Sequence, residues 1–194
     1  MSGIRAAEPS EVDAVVDVLT RAFQLDPVST WLFEDDERRP GANRAFFRGV
    51  LGGLGEAGGR VDVTEDFGAV MLWEPGGAED EGGDLAETFP GLLDAELARL
   101  GPLLGLMAER GPSGSAHHHA QFLGVLPGLQ GQGIGGRLFR HGLDHFDAQG
   151  TPTYLEASSP TSARLYRRLG YRDVGEPFAP PGGAPMQPMW RDPA

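Results

Sequence analysis

The chain has 194 residues, 40% of them hydrophobic, and a formal net charge of −12. That length supports one well-buried core and is short for two, so a single domain over residues 1–194 is expected. The acidic balance argues against nonspecific nucleic-acid binding, which demands a basic face. It suits a cationic partner, because an acidic surface concentrates amines.

Cysteine is absent and all 16 basic residues are arginine. This excludes disulfides, thiolate metal sites and cysteine nucleophiles, together with phosphate-binding and Schiff-base lysines. No run approaches the length of about 18 apolar residues that a membrane span needs. The N-terminal MSGIRAAEPSEVD has no apolar core of signal-peptide type. A cytoplasmic protein with no membrane partner is expected.

In chain order, Ile4 to Ala6 reads as a short strand. Ser10, three residues before Asp13, makes a near-capping-box start to a helix carrying Val12, Val15, Val16, Leu19 and Phe23 at helical spacing. Asp26-Pro27 ends it. A second helix over Gly41 to Leu54 would bury Phe46, Phe47, Val50, Leu51 and Leu54. Between them Trp31 and Phe33 are packing residues or the wall of an acceptor pocket, and Glu34 to Glu37 a solvated loop. RVDVTED and GAVMLWEP read as a hairpin around Asp66-Phe67-Gly68, and GGAEDEGGD as a mobile acidic loop. Pro90 and Pro102 divide Leu85 to Glu109 into two or three short helices.

The richest stretch follows: HHHAQFLGVLPGLQGQGIGG, His117 to Gly136. A strand over 117–125 leads into a glycine tract and a helix over 133–148. A strand TYLEA, a helix over 161–169 and a strand from Tyr171 to Val174 come next, and Met186 to Trp190 could close the sheet as an edge strand. Period 2 places His117, His119, Gln121 and Leu123 on one face, with His118, Ala120 and Phe122 on the other. Val125 is in phase with the first set unless a bulge intervenes. Adjacent histidines on a strand point to alternate faces, so three in a row cannot converge on one ion; no metal site is expected.

Gly131-x-Gly133-x-x-Gly136 satisfies the dinucleotide pattern G-x-G-x-x-G, and Glu156 stands where a ribose-binding acid would. Pro127-Gly128-Leu129-Gln130 intervenes after the strand, however, and only Ala157 to Ala194 remains for the further units of a doubly wound sheet. The longer pattern Val125-x-Pro127-x-x-Gln130-x-x-Gly133-x-Gly135-x-x-Leu138 resembles the central signature of the GNAT superfamily of N-acetyltransferases. Leu165, Tyr166, Gly170 and Tyr171 are similar to that family's L-Y-x-x-x-G-[FY] block. Backbone N–H groups at a glycine-rich helix start form an anion site, which suits a pyrophosphate.

The resemblance implies an α/β fold with a mixed, mostly antiparallel central sheet, splayed central strands and flanking helices. It implies an acetyl-CoA-binding core at about 117–175 and transfer of acetyl to a primary amine of a small molecule or peptide. Cofactor contacts would come from Leu123, Gly124, Val125, Gln130, Gly131, Gln132, Gly133, Ile134, Gly135 and Gly136. Ser159 and Ser162 stand where the family often has asparagine. Arg137 and Arg140 could meet phosphate or water. Tyr166 matches the family's general acid. In the arylalkylamine N-acetyltransferases, which this stretch resembles locally, two histidines lie where this chain has His119 and Gln121. His119 is the first choice of base, with a pKa near 6.5 suited to neutral pH, His117 a relay and Glu156 a weaker base. A homodimer stays open as a partner. The alternatives are a nicotinamide-dependent oxidoreductase and a non-enzymatic acyl-CoA sensor.

Overall fold

A computed structural model describes residues 2–76 and 83–194, so most of the acidic GGAEDEGGD stretch lies outside the described residues. The first strand, β1 (Ile4–Ala6), leads into helix α1 (Val12–Ala22). The start of α1 is fixed upstream of Ser10: the Glu11 carboxylate accepts the Glu8 backbone N–H at 2.8 Å and pairs with Arg5. The Asp26-Pro27 step both ends one helix and begins another, α2 (Pro27–Leu32), to which the sequence reading assigns no element. Asp26 caps it by accepting from Val28 N and Ser29 N, and Pro27 sits in its first turn, where a missing N–H costs nothing.

Helix α3 (Arg39–Glu56) carries the expected apolar stripe and is followed by the hairpin β2 (Arg60–Thr64) and β3 (Ala69–Gly76). A single turn, α4 (Leu85–Thr88), precedes α5 (Asp94–Arg110). Helix α5 runs straight through Pro102, contrary to the expected break. Burial of Leu100 and Leu103 on either side of the proline offsets the one lost backbone bond. The remainder is β4 (His117–Val125), α6 (Ile134–Asp147), β5 (Thr153–Ala157), α7 (Pro160–Arg168), β6 (Arg172–Asp173) and β7 (Gln187–Arg191).

The strands form one sheet in the order β1-β2-β3-β4-β5-β7-β6, antiparallel everywhere except between β4 and β5. This topology excludes the doubly wound parallel sheet of a dinucleotide fold. β7 is not the edge strand expected of it: it lies between β5 and β6, held to α6 by a bidentate Arg191–Asp147 pair at 2.6 and 2.7 Å. Helices α1 and α3 cover one face of the sheet through Val15, Leu19, Phe47 and Leu54. Helices α6 and α7 cover the other through Leu138, Phe139, Leu143, Phe146 and Ala163. Gly142 is required there, because a Cβ would lie 2.4 Å from the Trp73 ring.

Two irregularities open the middle of the sheet. β4 and β5 pair only at His118↔Thr153 and His119↔Tyr154 and then diverge. The register of β4 on β3 also slips by one residue: Leu72 faces Phe122 while Trp73 faces Ala120, leaving Gln121 as a bulge. The bulge overturns the simple alternation. Leu123 and Val125 join Ala120 on the α6 face, while Phe122 shares the α1 and α3 face with His119.

Candidate active site

A cavity of about 980 Å³ enters the splay between β4 and β5 and continues under α3 and α5. Its cradle end is the turn into α6. Gly131 and Gly133 both have φ of 76°, a left-handed conformation that penalises a side chain, and Gly133 is the N-cap of the helix. The Gln130 amide donates to the Val125 carbonyl at 3.0 Å and the Gln132 amide to the Gly128 carbonyl at 3.3 Å. Both side chains therefore brace the turn, and the first N–H groups of α6, which no helix satisfies internally, face outward. These features fit an anionic pyrophosphate, and the unpaired edge of β4 beyond His119 fits an extended amide-bearing arm.

The sequence-derived residues Leu123, Val125, Gln130, Gly131, Gly133, Ile134, Gly135, Gly136, Ser159 and Ser162 all line this cavity, together with Tyr166 and His119. Gly124 and Gln132 are not among its lining residues; Gly124 instead gives α1 close approach, with Leu19 3.0 Å from where a Cβ would stand. Ser159 and Ser162 spend their hydroxyls on each other. They form a capping box at the start of α7, with the Ser162 N–H donating to Ser159 Oγ at 3.1 Å.

His119 Nε2 lies 2.7 Å from Glu156 Oε2, and the Glu156 side chain is almost wholly buried. The parallel step that sets His119 against Tyr154 brings Glu156, two residues on and on the same face, to the imidazole. Burial pulls the His119 pKa down, but the charge and hydrogen bond of Glu156, with the charge of Glu74 behind them, raise it above its ordinary 6.5. His117 differs. It is buried against Tyr154 and Trp190, its Nδ1–H donates to Ser115 O, and burial lowers its pKa. His118 points the other way and stacks on Phe146 at 4.1 Å.

Tyr166 packs on Phe139 and Tyr171 with its ring 5.2 and 6.0 Å from theirs. Burial, and then the charge of Asp26, raise its pKa above the ordinary value, so its hydroxyl stays protonated. Asp26 lines the same cavity and accepts a hydrogen bond from Ser158 Oγ at 2.9 Å; burial raises its pKa against that bond. Neither Asp26 nor Ser158 had been singled out, and nothing in the local sequence pairs residues so far apart. The remaining wall is aromatic and aliphatic. Phe46, Phe47 and Phe122 meet at ring distances of 5.2 to 5.9 Å, and Leu100, Leu103 and Met107 of α5 face them across the cavity. Phe33 and Met186 reach it from the loop and the tail, whereas Trp31 packs beside it and donates to Pro181 O.

Residues 100–192 match the family model of the acetyltransferase (GNAT) domain. Over that stretch the chain is similar to the GNAT acetyltransferases. The GNAT fold extends over the whole chain: a Corynebacterium glutamicum structure described as histone acetyltransferase HPA2 and related acetyltransferase superposes with a TM-score of 0.74 at 24% identity, covering 100% of this chain and 98% of that one. Arylalkylamine N-acetyltransferase 2 from Aedes aegypti gives 0.69 at 14% identity, covering 99% of each. Among curated proteins, a mycothiol acetyltransferase of Streptomyces avermitilis is 46% identical over 52 residues, which is 25% of this chain and 17% of that protein. The match thus spans a small part of those relatives. Among the described residues, no helix is long and apolar enough to cross a membrane.

Proposed function

We propose that the protein is an acetyl-CoA-dependent N-acetyltransferase that acts on a primary amine. One observation carries this: a single cavity is lined at once by the glycine turn, by the protonated Tyr166 and by the His119–Glu156 pair. When bound, acetyl-CoA would supply the activated acyl thioester. Gly131 to Gly136 would hold its pyrophosphate through backbone N–H groups, and Leu123 and Val125 would present the free strand edge to its pantetheine arm.

The chain's own groups supply the proton transfers. An alkyl amine with a pKa near ~10 arrives as ammonium and must lose a proton before it can attack. His119, oriented by Glu156, takes that proton at an imidazole nitrogen. Its raised pKa means that the pair carries a proton of its own at low pH, so turnover should require the pH to lie above that pKa. Tyr166 holds a proton at its hydroxyl for the departing thiol. The expected partner is a small-molecule or peptide amine.

The test is release of free thiol from acetyl-CoA by the purified protein across a panel of amines, beside titrations with acetyl-CoA and NAD(H). Amine-dependent thiol release is expected. Binding of NAD(H) in preference to acetyl-CoA would overturn the proposal, and acetyl-CoA binding without turnover would mark a sensor.

A further inference from the structure

The bulge at Gln121 has no part in the chemistry above, yet it sets two polar groups in the cavity wall. Gln121 Nε2 donates to the Glu74 carboxylate. Only the amide nitrogen can do so, which orients the side chain and fixes where Oε1 points. That oxygen is buried and accepts no hydrogen bond among the described residues, an expensive state for a carbonyl unless a ligand completes it. Glu74 stands directly opposite His119 across β3 and β4, on the same face of the sheet, and both line the cavity.

We infer that Glu74 and Gln121 form the seat for the acceptor's ammonium group, and that the acceptor is a monocationic primary amine with an apolar body. An ammonium carries three N–H donors. It can meet the Glu74 carboxylate and Gln121 Oε1 and still present the proton that His119 removes. Among the described residues, the charged side chains lining the cavity favour a cation: Asp26, Glu74 and Glu156 against Arg168, which is exposed. Away from this end the described wall is mostly apolar, Phe46, Phe89, Phe122, Leu100, Leu103 and Met107, with the neutral Ser29, Asn43 and Thr88 among them. No carboxylate among the described residues stands there, so those residues offer a second ammonium on the acceptor no counter-charge. A phenylalkyl or alkyl chain would instead bury its surface. The base and the seat have separate tasks, so the seat should act on amine binding more than on turnover.

This inference rests on the acetyl-transfer reading, and the experiment separates the two. Steady-state kinetics are measured with acetyl-CoA and phenethylamine, hexylamine, putrescine and spermidine, for the parent chain, Glu74→Gln, Gln121→Met and Gln121→Ala. Thermal melts and acetyl-CoA titration accompany each variant to confirm folding. The parent is expected to favour phenethylamine or hexylamine over putrescine and spermidine by at least about tenfold in kcat/KM, one unpaired charge's worth of discrimination. Glu74→Gln should raise the amine KM about tenfold, and the Gln121 variants a few-fold, with acetyl-CoA affinity close to the parent value. Turnover that prefers the diamine and polyamine, or an amine KM unchanged in all three variants, would overturn the seat and leave the acetyltransferase reading standing. The parent's preference is readable even if every variant fails to fold. Absence of turnover with every amine overturns both.

Discussion

The two faces of β4 are built by different means. Toward α6, the wall is backbone: a left-handed glycine turn, the first N–H groups of a helix and an unpaired strand edge. Toward α1, α3 and α5 it is side chain: interlocked phenyl rings, a histidine–carboxylate pair and the Glu74–Gln121 contact. Backbone groups are the same whatever residue carries them, so a wall made of them suits a ligand that never changes. Side chains are replaced one mutation at a time, so the opposite wall can be refitted to a new acceptor without touching the first. The sheet keeps the two walls apart, and the splay at His119 is where they meet.

Mutations should respect that division. The largest effect falls at the junction: Tyr166→Phe should lower kcat about 100-fold, the low end for loss of a positioned acid, with acetyl-CoA affinity by calorimetry within about twofold of the parent. Retention of full kcat would remove Tyr166 from the mechanism. On the backbone wall, Gly133→Val forces a β-branched residue into left-handed φ, at a cost of roughly 1–2 kcal/mol. The acetyl-CoA KM should rise about tenfold while the amine KM stays put; a rise in both would show that the two walls are coupled.

Glu156→Gln should give a loss of several-fold at pH 7, about one side-chain hydrogen bond's worth, and a change of pH profile whose sign is fixed. The carboxylate raises the His119 pKa, and the proposed base would act only when neutral, so the acidic limb of kcat/KM should lie above pH 6.5. Removing the charge lets that limb fall to lower pH; movement upward would contradict the pairing. The smallest kinetic effect is expected at Ser162→Ala. Its hydroxyl serves the α7 cap, so the substitution should cost about 1 kcal/mol in denaturant unfolding and leave the acetyl-CoA KM unaltered. A raised KM with unchanged stability would assign the hydroxyl to the ligand instead.

Much of the backbone wall was legible because its signals are local. The strand over 117–125 ends where period 2 gives way to Pro127, and glycines at 131 and 133 stand where left-handed φ requires them. The side-chain wall was not. Gln121 looks like any polar residue in a strand, yet as the extra residue opposite Leu72 and Trp73 it moves Leu123 to the far face from His119. His119 and Glu156 were each named from sequence, but their pairing depends on how far β4 and β5 run together before parting. Asp26-Pro27 was read as a stop, although the same two residues are an N-cap and a first-turn proline. Glu74 and Asp26 meet Gln121 and Ser158 in the cavity wall, pairings that no short window contains.

The place of β7 between β5 and β6 imposes a schedule on the chain's birth. β6 is made before β7 but touches the sheet only through it, at Arg172↔Trp190 and Asp173↔Met189. At about 5–20 residues per second, the ribosome delivers β5 well before the strand that will flank it. Until residue 191 emerges and Arg191 reaches Asp147, β5 offers an open edge to any neighbouring nascent chain. The half that holds the glycine turn, which the sequence announces most loudly, is therefore the half that must wait for β7.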